Sequence, residues 1–315
     1  MSGKKTKLVV ASGKGGVGKS MLTSALVMLF AKEKKVVAVD CDADAPNLAI
    51  WLGGIRKWDK NIPVIASARP EIDYKKCDGC GLCAEKCNFS AIKMVHPVKS
   101  VKSGVEQFNR VKGKPKVNPF LCEGCGACEA ICPKGAIKLK PVQNGEIKSA
   151  IRRLAERKKN YKFHLVSGQL FPGETGSGKV VDKIKAEADK FDYDLMLIDS
   201  APGTGCPVTA ALRDANFVIL VTEPTLSGFS DFKRVLEVVN YFKISWGVVI
   251  NKWDINPKLS KKIENFAQKK FLGKISYDQG IFKAVSNLTP VLETNLKVKN
   301  EIKNIFKSLQ KWLGR

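Results

Sequence analysis

The chain has 315 residues, 44% of them apolar, which is enough for one α/β domain carrying an insertion or for two domains. Its formal charge of +24 is spread along the length rather than gathered in a tail, so a solvated basic surface is expected and a dedicated nucleic-acid or membrane contact is not favoured. No run of about 18 apolar residues occurs and no signal-type core follows the lysine-rich start, which argues against a membrane span and against secretion; a cytoplasmic protein is expected.

The first element is an apolar strand, Leu8-Val9-Val10-Ala11, and a run of helix formers covers Met21 to Ala31. Between them lies Ser12-Gly13-Lys14-Gly15-Gly16-Val17-Gly18-Lys19-Ser20. Gly13-x-x-x-x-Gly18-Lys19-Ser20 is a full match to the loop whose backbone N–H groups cradle phosphates, with Lys19 at the β- and γ-phosphates and Ser20 on Mg²⁺. The early lysine, Lys14, makes this loop resemble the deviant Walker A motif of the MinD/ParA family. The resemblance implies an ATP-hydrolysing, nucleotide-dependent homodimer, or a heterodimer with a paralogue, in which Lys14 reaches the partner's phosphates as an arginine finger does.

Lys35-Val-Val-Ala-Val-Asp40 reads as a buried strand ending on acid, followed by Cys41-Asp42-Ala43-Asp44. In the resembling families this is switch I. Asp42 then corresponds to the residue that positions the attacking water, and Asp40 is placed near the metal. Carboxylates this close repel unless they share a cation, which fits a Mg²⁺–nucleotide site.

From about residue 71 the composition changes. Cys77-x-x-Cys80-x-x-Cys83-x-x-x-Cys87 is followed by Cys122-x-x-Cys125-x-x-Cys128-x-x-x-Cys132-Pro133, and both runs close on a similar tail, Asn88-Phe-Ser-Ala-Ile-Lys93 and Pro133-Lys-Gly-Ala-Ile-Lys138. Eight of ten cysteines in two close runs indicate metal rather than disulfides. The repeat resembles bacterial two-cluster ferredoxins, in which the fourth cysteine of a run ligates the other [4Fe–4S] cluster. That resemblance assigns Cys77, Cys80, Cys83 and Cys132 to one cluster and Cys122, Cys125, Cys128 and Cys87 to the other. Structural zinc, the competing use of Cys-x-x-Cys pairs, has no need of the third and fourth cysteines. The first run has Asn88 where the pattern has proline. The basic segment from Val95 to Val117 is expected to form a hairpin or loop, with His96 as a loop residue rather than a ligand.

Past Pro141 the ATPase pattern resumes, so residues 1–70 and 141–315 are expected to form a discontinuous P-loop domain around an inserted ferredoxin domain, 71–140. Glu146 to Lys159 reads as a basic amphipathic helix, and Phe163 to Val166 as a short strand holding His164. Gly173-Glu-Thr-Gly-Ser-Gly178-Lys179 imitates a second phosphate loop, but Val180 replaces the Mg²⁺-binding hydroxyl.

Tyr193 to Asp199 is a buried strand ending in the acid of a Walker B motif, followed by Ser-Ala-Pro-Gly203. The resemblance places Asp199 at Mg²⁺ through water, and Gly203 as a backbone donor to the γ-phosphate. Cys206, seven residues past Asp199, shares its offset with a cluster ligand of the nitrogenase iron protein; a buried or helix-capping thiol is expected, with a redox role as the alternative. Cys41 is expected to pack. Two further buried strands, Phe217 to Val221 and Trp246 to Ile250, lead to Asn251, which resembles the family's purine contact. Asn251-Lys252-Trp253-Asp254 also satisfies the Asn-Lys-x-Asp pattern of guanine readers; the family resemblance points to ATP. Ile275 to Gly280 and Pro290 to Glu293 resemble the last strand and the loop over the base. The apolar residues Ile302, Ile305, Phe306, Leu309, Trp312 and Leu313 fall at helical spacing, and this final basic helix is expected to pack on the sheet rather than bind membrane as the helix of MinD does.

The fold expected is a doubly wound, mostly parallel α/β P-loop NTPase with a small inserted α+β ferredoxin domain. Its cofactors would be ATP, Mg²⁺ and two [4Fe–4S] clusters. Three functions are compatible with these parts: an ATP-gated electron-transfer protein, which the full ligand set favours; an Mrp-type cluster-assembly carrier; and a ParA/MinD-type positioning ATPase with clusters as redox sensors. The electron donor, the acceptor and any client protein are not written in the residues.

Overall fold

The computed structural model describes residues 5–55, 57–95, 113–156 and 159–314, the side chains of 154–156 and 159–161 excepted. His96 and most of the segment expected to link the cysteine runs lie outside the described residues. The chain divides into two compact units, one of residues 1–63, 146–170 and 177–315, the other of 64–145 and 171–176.

The larger unit is built on β1 (Thr6–Ala11), α1 (Lys19–Phe30), β2 (Val36–Cys41) and α2 (Leu48–Trp51). The chain crosses between the units within β3 (Lys60–Ile72). The smaller unit then holds α3 (Leu82–Glu85), β4 (Ile92–Val95), β5 (Lys114–Val117) and α4 (Ala127–Ala130), and the chain crosses again within β6 (Ile137–Glu156). There follow β7 (Lys159–Leu170), α5 (Ser177–Ala188), β8 (Leu195–Ser200), α6 (Cys206–Leu212), β9 (Phe217–Thr222), α7 (Leu226–Tyr241), β10 (Ser245–Asn251), α8 (Pro257–Ala267), β11 (Phe271–Ile275), α9 (Gly280–Ser286) and α10 (Val298–Leu313).

The sheet runs β11-β10-β9-β1-β8-β2-β7-β6-β3, and every pairing from β11 to β7 is parallel. β2, β8 and β9 bury all six of their residues. Helices cover both faces of such strands, which is why they read as unbroken Val, Ile and Leu rather than as an alternating pattern. The order reverses at β1, so the loops after β1, β2 and β8 open at one end of the sheet, where α/β folds place ligands.

α10 packs on this sheet. Ile302, Ile305 and Leu309 are fully buried, Phe306 meets Phe30 edge-on at 4.7 Å, and Trp312 lies 4.1 Å from Phe217. Its apolar face is covered by the core, and among the described residues no helix is long and apolar enough to cross a membrane.

Of the helix expected over Glu146 to Lys159, residues 146–156 are instead strand, the second half of β6, and Lys159 opens β7; 157 and 158 lie outside the described residues. Ile147 and Ser149 are buried while Glu146 and Lys148 are less so, a period of two that the sheet neighbours β7 and β3 impose over local helix propensity. The expected strand at Phe163 to Val166 is present as part of β7, with His164 half-buried and stacked on Phe191 at 4.2 Å. Burial holds its imidazole below the usual range, with Lys162 adding to the effect.

In the smaller unit β4 and β5 pair antiparallel, and Cys83, Ile92 and Ile137 form a small core. The two cysteine runs repeat at a constant offset and share their local geometry. α3 and α4 occupy matching places, Cys87 N–H donates to Ala84 O and Cys132 N–H to Glu129 O, both at 3.4 Å. At the tail, Ser90 (φ 51°) stands in the left-handed conformation that Gly135 (φ 55°) takes in the second run.

Candidate functional site

The loop after β1 lines a cleft of about 580 Å³, with Gly15, Gly16, Gly18, Lys19 and Ser20 in its wall. Gly18 has φ 93°, and a Cβ there would collide with the Asn251 side chain. Only glycine serves at that position. Val17 is buried in the core and reaches the site through its carbonyl, which accepts from Asn251 Nδ2 at 2.8 Å. Lys19 and Ser20, the first residues of α1, are buried, and the helix N-terminus directs its free amides at whatever anion the loop holds.

Asp199, the penultimate residue of β8, is wholly buried. Its Oδ1 accepts from Thr23 Oγ1 at 3.2 Å, while Oδ2 has no hydrogen-bond partner among the described residues. Burial pushes its pKa up to about 6, against the lowering effect of Lys19 and of the Ser20 and Thr23 hydroxyls. Thr23, one turn past Ser20, escaped the sequence reading because no motif position marks it.

Asp42 lines the cleft, and burial raises its carboxyl although Lys19 draws it down. Asp40 does not line it. Its Oδ1 accepts from Asp42 N at 3.2 Å and its Oδ2 from Leu48 N at 2.9 Å, so the carboxylate clamps the two ends of switch I. Burial and the neighbouring Asp199 carry its pKa well above the carboxylate range. Gly203 N–H donates to Ser12 O at 2.9 Å, and it is Ala201 and Pro202 of the same loop that line the cleft.

Lys14 forms a 2.5 Å ion pair with Glu223, whose other oxygen lies 3.3 Å from Lys252 Nζ. Burial acts to raise Glu223, and the two lysines overcome it, leaving the carboxylate below its ordinary value. Glu223 lies just after β9, and its part was not legible in the sequence.

Around Asn251, Tyr277, Ile281 and Phe282 also line the cleft and give it apolar walls. β11 stops at Ile275, so residues 276–279 form a loop rather than the strand expected there. Asn251 lines the cleft with its amide engaged on both sides, since Lys252 N–H donates to its Oδ1 at 3.0 Å. Asp254 turns away: its Oδ1 accepts from Tyr277 N–H at 2.8 Å.

Two hollows in the smaller unit gather the cysteines. Cys77, Cys80, Cys83 and Cys132 line one; Cys122, Cys125, Cys128 and Cys87 line the other. Ala91 N–H donates to Cys87 Sγ and Ala136 N–H to Cys132 Sγ, both at 3.3 Å. Burial pushes the Cys83 and Cys128 thiols up, with neighbouring cysteines of the same run adding to it. Among the described residues no three Cys, His, Asp or Glu side chains converge as the ligands of a single metal ion do.

Cys206 is the first residue of α6 and is exposed, not buried as expected; the neighbouring Gly205 takes the capping position. Cys41 is fully buried beside Asp40, and burial places its thiol far above the usual range. The imitation phosphate loop resolves into a turn that ends where α5 begins, with Val180 buried in the core.

The model of the CobQ/CobB/MinD/ParA nucleotide-binding domain matches residues 8–291. Two uncharacterized proteins of Methanocaldococcus jannaschii are similar along their length, one 34% identical over 98% of this chain and 97% of its own, the other 27% identical over 97% of each. Among solved structures, the septum site-determining protein MinD of Pyrococcus horikoshii, complexed with Mg-ADP, superposes with a TM-score of 0.58 at 17% identity, covering 99% of this chain and 98% of that one.

Proposed function

The chain belongs to the CobQ/CobB/MinD/ParA nucleotide-binding family, and from that premise we propose that it is an ATP-hydrolysing dimer switch whose smaller unit, a ferredoxin domain, carries two [4Fe–4S] clusters for electron transfer. The observation that carries the reading is the crossing of the cysteines. Each hollow takes three thiols of one run and the fourth of the other, the ligand exchange of two-cluster ferredoxins.

The donor set suits the group. Four cysteines border each hollow, and a backbone N–H already directed at Cys87 and at Cys132 offsets charge on sulfur. When bound, such clusters supply one-electron transfer. The eight thiolates would hold them, and the surrounding amides would set how readily they accept charge.

In the cleft, loop amides bind the phosphates, and Lys19 neutralises the β- and γ-oxygens. Ser20 and the unpartnered Oδ2 of Asp199 would hold Mg²⁺; a buried carboxylate oxygen without a donor is the observation that favours a cation there. Asp42 orients the water that adds to the γ-phosphorus as the bond to the ADP oxygen breaks. Lys14, freed from Glu223, offsets charge on the transferred group of a partner's nucleotide. Adenine is favoured over guanine because Asp254, the acid a guanine reader would use, is committed to the Tyr277 backbone.

Protein purified without oxygen, or reconstituted with iron and sulfide, is expected to carry about eight iron and eight acid-labile sulfide per chain, with EPR signals of reduced [4Fe–4S] centres. A preparation that binds zinc and takes up no sulfide contradicts the reading.

A further inference from the structure

The segment Phe171–Gly176 groups with the cysteine-bearing unit, although β7 before it and α5 after it both belong to the sheet unit. It contains most of the Gly173 to Lys179 pattern, for which the nucleotide site has no use. Its entry is fixed by Leu170 N–H, which donates to Ala43 O at 2.9 Å, between the cleft-lining Asp42 and Asp44 of switch I. One residue later Phe171 N–H donates to Asn144 O at 3.0 Å.

Asn144 is wholly buried and brackets the segment. Its Oδ1 accepts from Ala66 N–H at 2.9 Å, and its Nδ2 donates to Thr175 O at 2.7 Å. The Glu174 carboxylate pairs with Arg69 at 2.5 Å. At the exit, a Cβ on Gly178 would lie 3.1 Å from Cβ of Cys206, the residue that opens α6 a few positions after the cleft-lining Ala201 and Pro202. Leu170 and Gly178, on either side of the segment, thus each pack within the sheet unit on residues next to cleft-lining ones, while residues 171–176 themselves are held by contacts within the cysteine-bearing unit.

Within that unit the anchorage leads towards one hollow. Ala66 and Arg69 lie on the part of β3 that continues to Pro70, which lines the hollow of Cys87, Cys122, Cys125 and Cys128. Gly124, between two of those cysteines, packs so closely on Ala68 O that a Cβ would not fit, and Gly173 packs on Phe120, two residues before Cys122. Among the described residues lining the other hollow, none comes from this stretch of β3.

We propose that Phe171–Gly176 is a covalent strap that carries a change of nucleotide from switch I and from the loop of Ala201 and Pro202 to the Cys87/Cys122/Cys125/Cys128 hollow in preference to the other. The strap is argued on contacts of the protein alone, and the redox consequence rests on the reading of that hollow as a cluster site. Hydrogen exchange of the full chain, compared with ADP and with a non-hydrolysable ATP analogue, is expected to differ by about threefold or more at Ala66 and across 171–176, and to stay level across 77–83. Equal exchange across 171–176 in the two states overturns the strap.

The variant Glu174→Ala touches neither phosphate loop nor thiol. It is expected to keep ATPase rate and iron content, to lose the nucleotide response at Ala66, and to lose any nucleotide-dependent shift in the EPR of one cluster; Asn144→Ala gives a second break in the same strap. If both variants retain the wild-type response, the strap is overturned. If wild-type exchange responds but neither cluster shifts, the strap stands and the electron-transfer reading falls.

Discussion

Lys14 Nζ lies 2.5 Å from Glu223 Oε1, with Lys252 3.3 Å from the other oxygen of the same carboxylate. The lysine that the family motif assigns to a partner's phosphates is thus held within its own chain. Because the pair is partly open to solvent, the restraint is worth about 0–1 kcal/mol, small enough for a nucleotide to overcome. Glu223→Gln should tighten ATP-dependent self-association by about two- to fivefold in sedimentation velocity, consistent with removing that restraint. Lys14→Ala should leave monomer stability intact and slow hydrolysis by about 10³-fold, the scale of a lost arginine finger. A Lys14→Ala protein that dimerises and hydrolyses normally contradicts the assignment.

Asp199 gives a pH prediction of definite sign. Its folded pKa of about 6 lies above an unfolded value near 4, so between these values the folded chain holds the extra proton. Its contribution to stability is therefore greatest below about pH 4, falls as pH rises through that window, and remains unfavourable above about 6. Without nucleotide, Asp199→Asn should melt higher than wild type at pH 7.5, by about 1–3 kcal/mol, and the difference should shrink towards pH 4. With Mg-nucleotide the order should reverse, because the variant loses the anionic oxygen proposed to hold the cation. Melting curves at two pH values, with and without Mg-nucleotide, check both signs.

The crossed hollows make a prediction about Cys87. Cys87→Ala should abolish or alter the EPR signal of the cluster held by Cys122, Cys125 and Cys128, and leave that of its own run. Cys132→Ala should do the converse. Damage confined to the mutated run in each case would show that the runs do not exchange ligands.

Ser90 sits at φ 51° where the second run has Gly135. A left-handed serine costs about 1 kcal/mol relative to glycine, so Ser90→Gly should raise stability by about 0.5–1 kcal/mol in thermal melts, and Gly135→Ser should lower it by a similar amount.

What the sequence disclosed was chemistry local to the chain. The loop from Gly13 to Ser20 and each cysteine run are marked by spacing over fewer than about a dozen residues, so the motifs are visible along the chain, while the crossing between the runs came only through the resemblance. Thr23 and Glu223 were not legible, because each acts through a residue about two hundred positions away or at a helical offset that no motif records. The resemblance placed Asp40 close to the metal; it pairs with Asp199 across β2 and β8, and its oxygens clamp Asp42 and Leu48, a detail set by how switch I folds back. The stretch from Glu146 to Lys159 reads as a helix, yet residues 146–156 are strand because neighbouring strands supply hydrogen bonds that local propensity cannot anticipate. Asn144 and Glu174 gained meaning only when β3 and β6 brought Ala66 and Arg69 beside them.

The measurement that tests the central claim most directly is a reductive titration of the clusters under anaerobic conditions, followed by EPR, in the nucleotide-free, ADP and non-hydrolysable ATP states of one preparation. A tenfold linkage between nucleotide affinity and a one-electron reduction moves a midpoint by about 59 mV. The account predicts two [4Fe–4S] centres and a shift of that order in one of them between the ADP and ATP-analogue states. Two centres with midpoints and line shapes indifferent to nucleotide would contradict it.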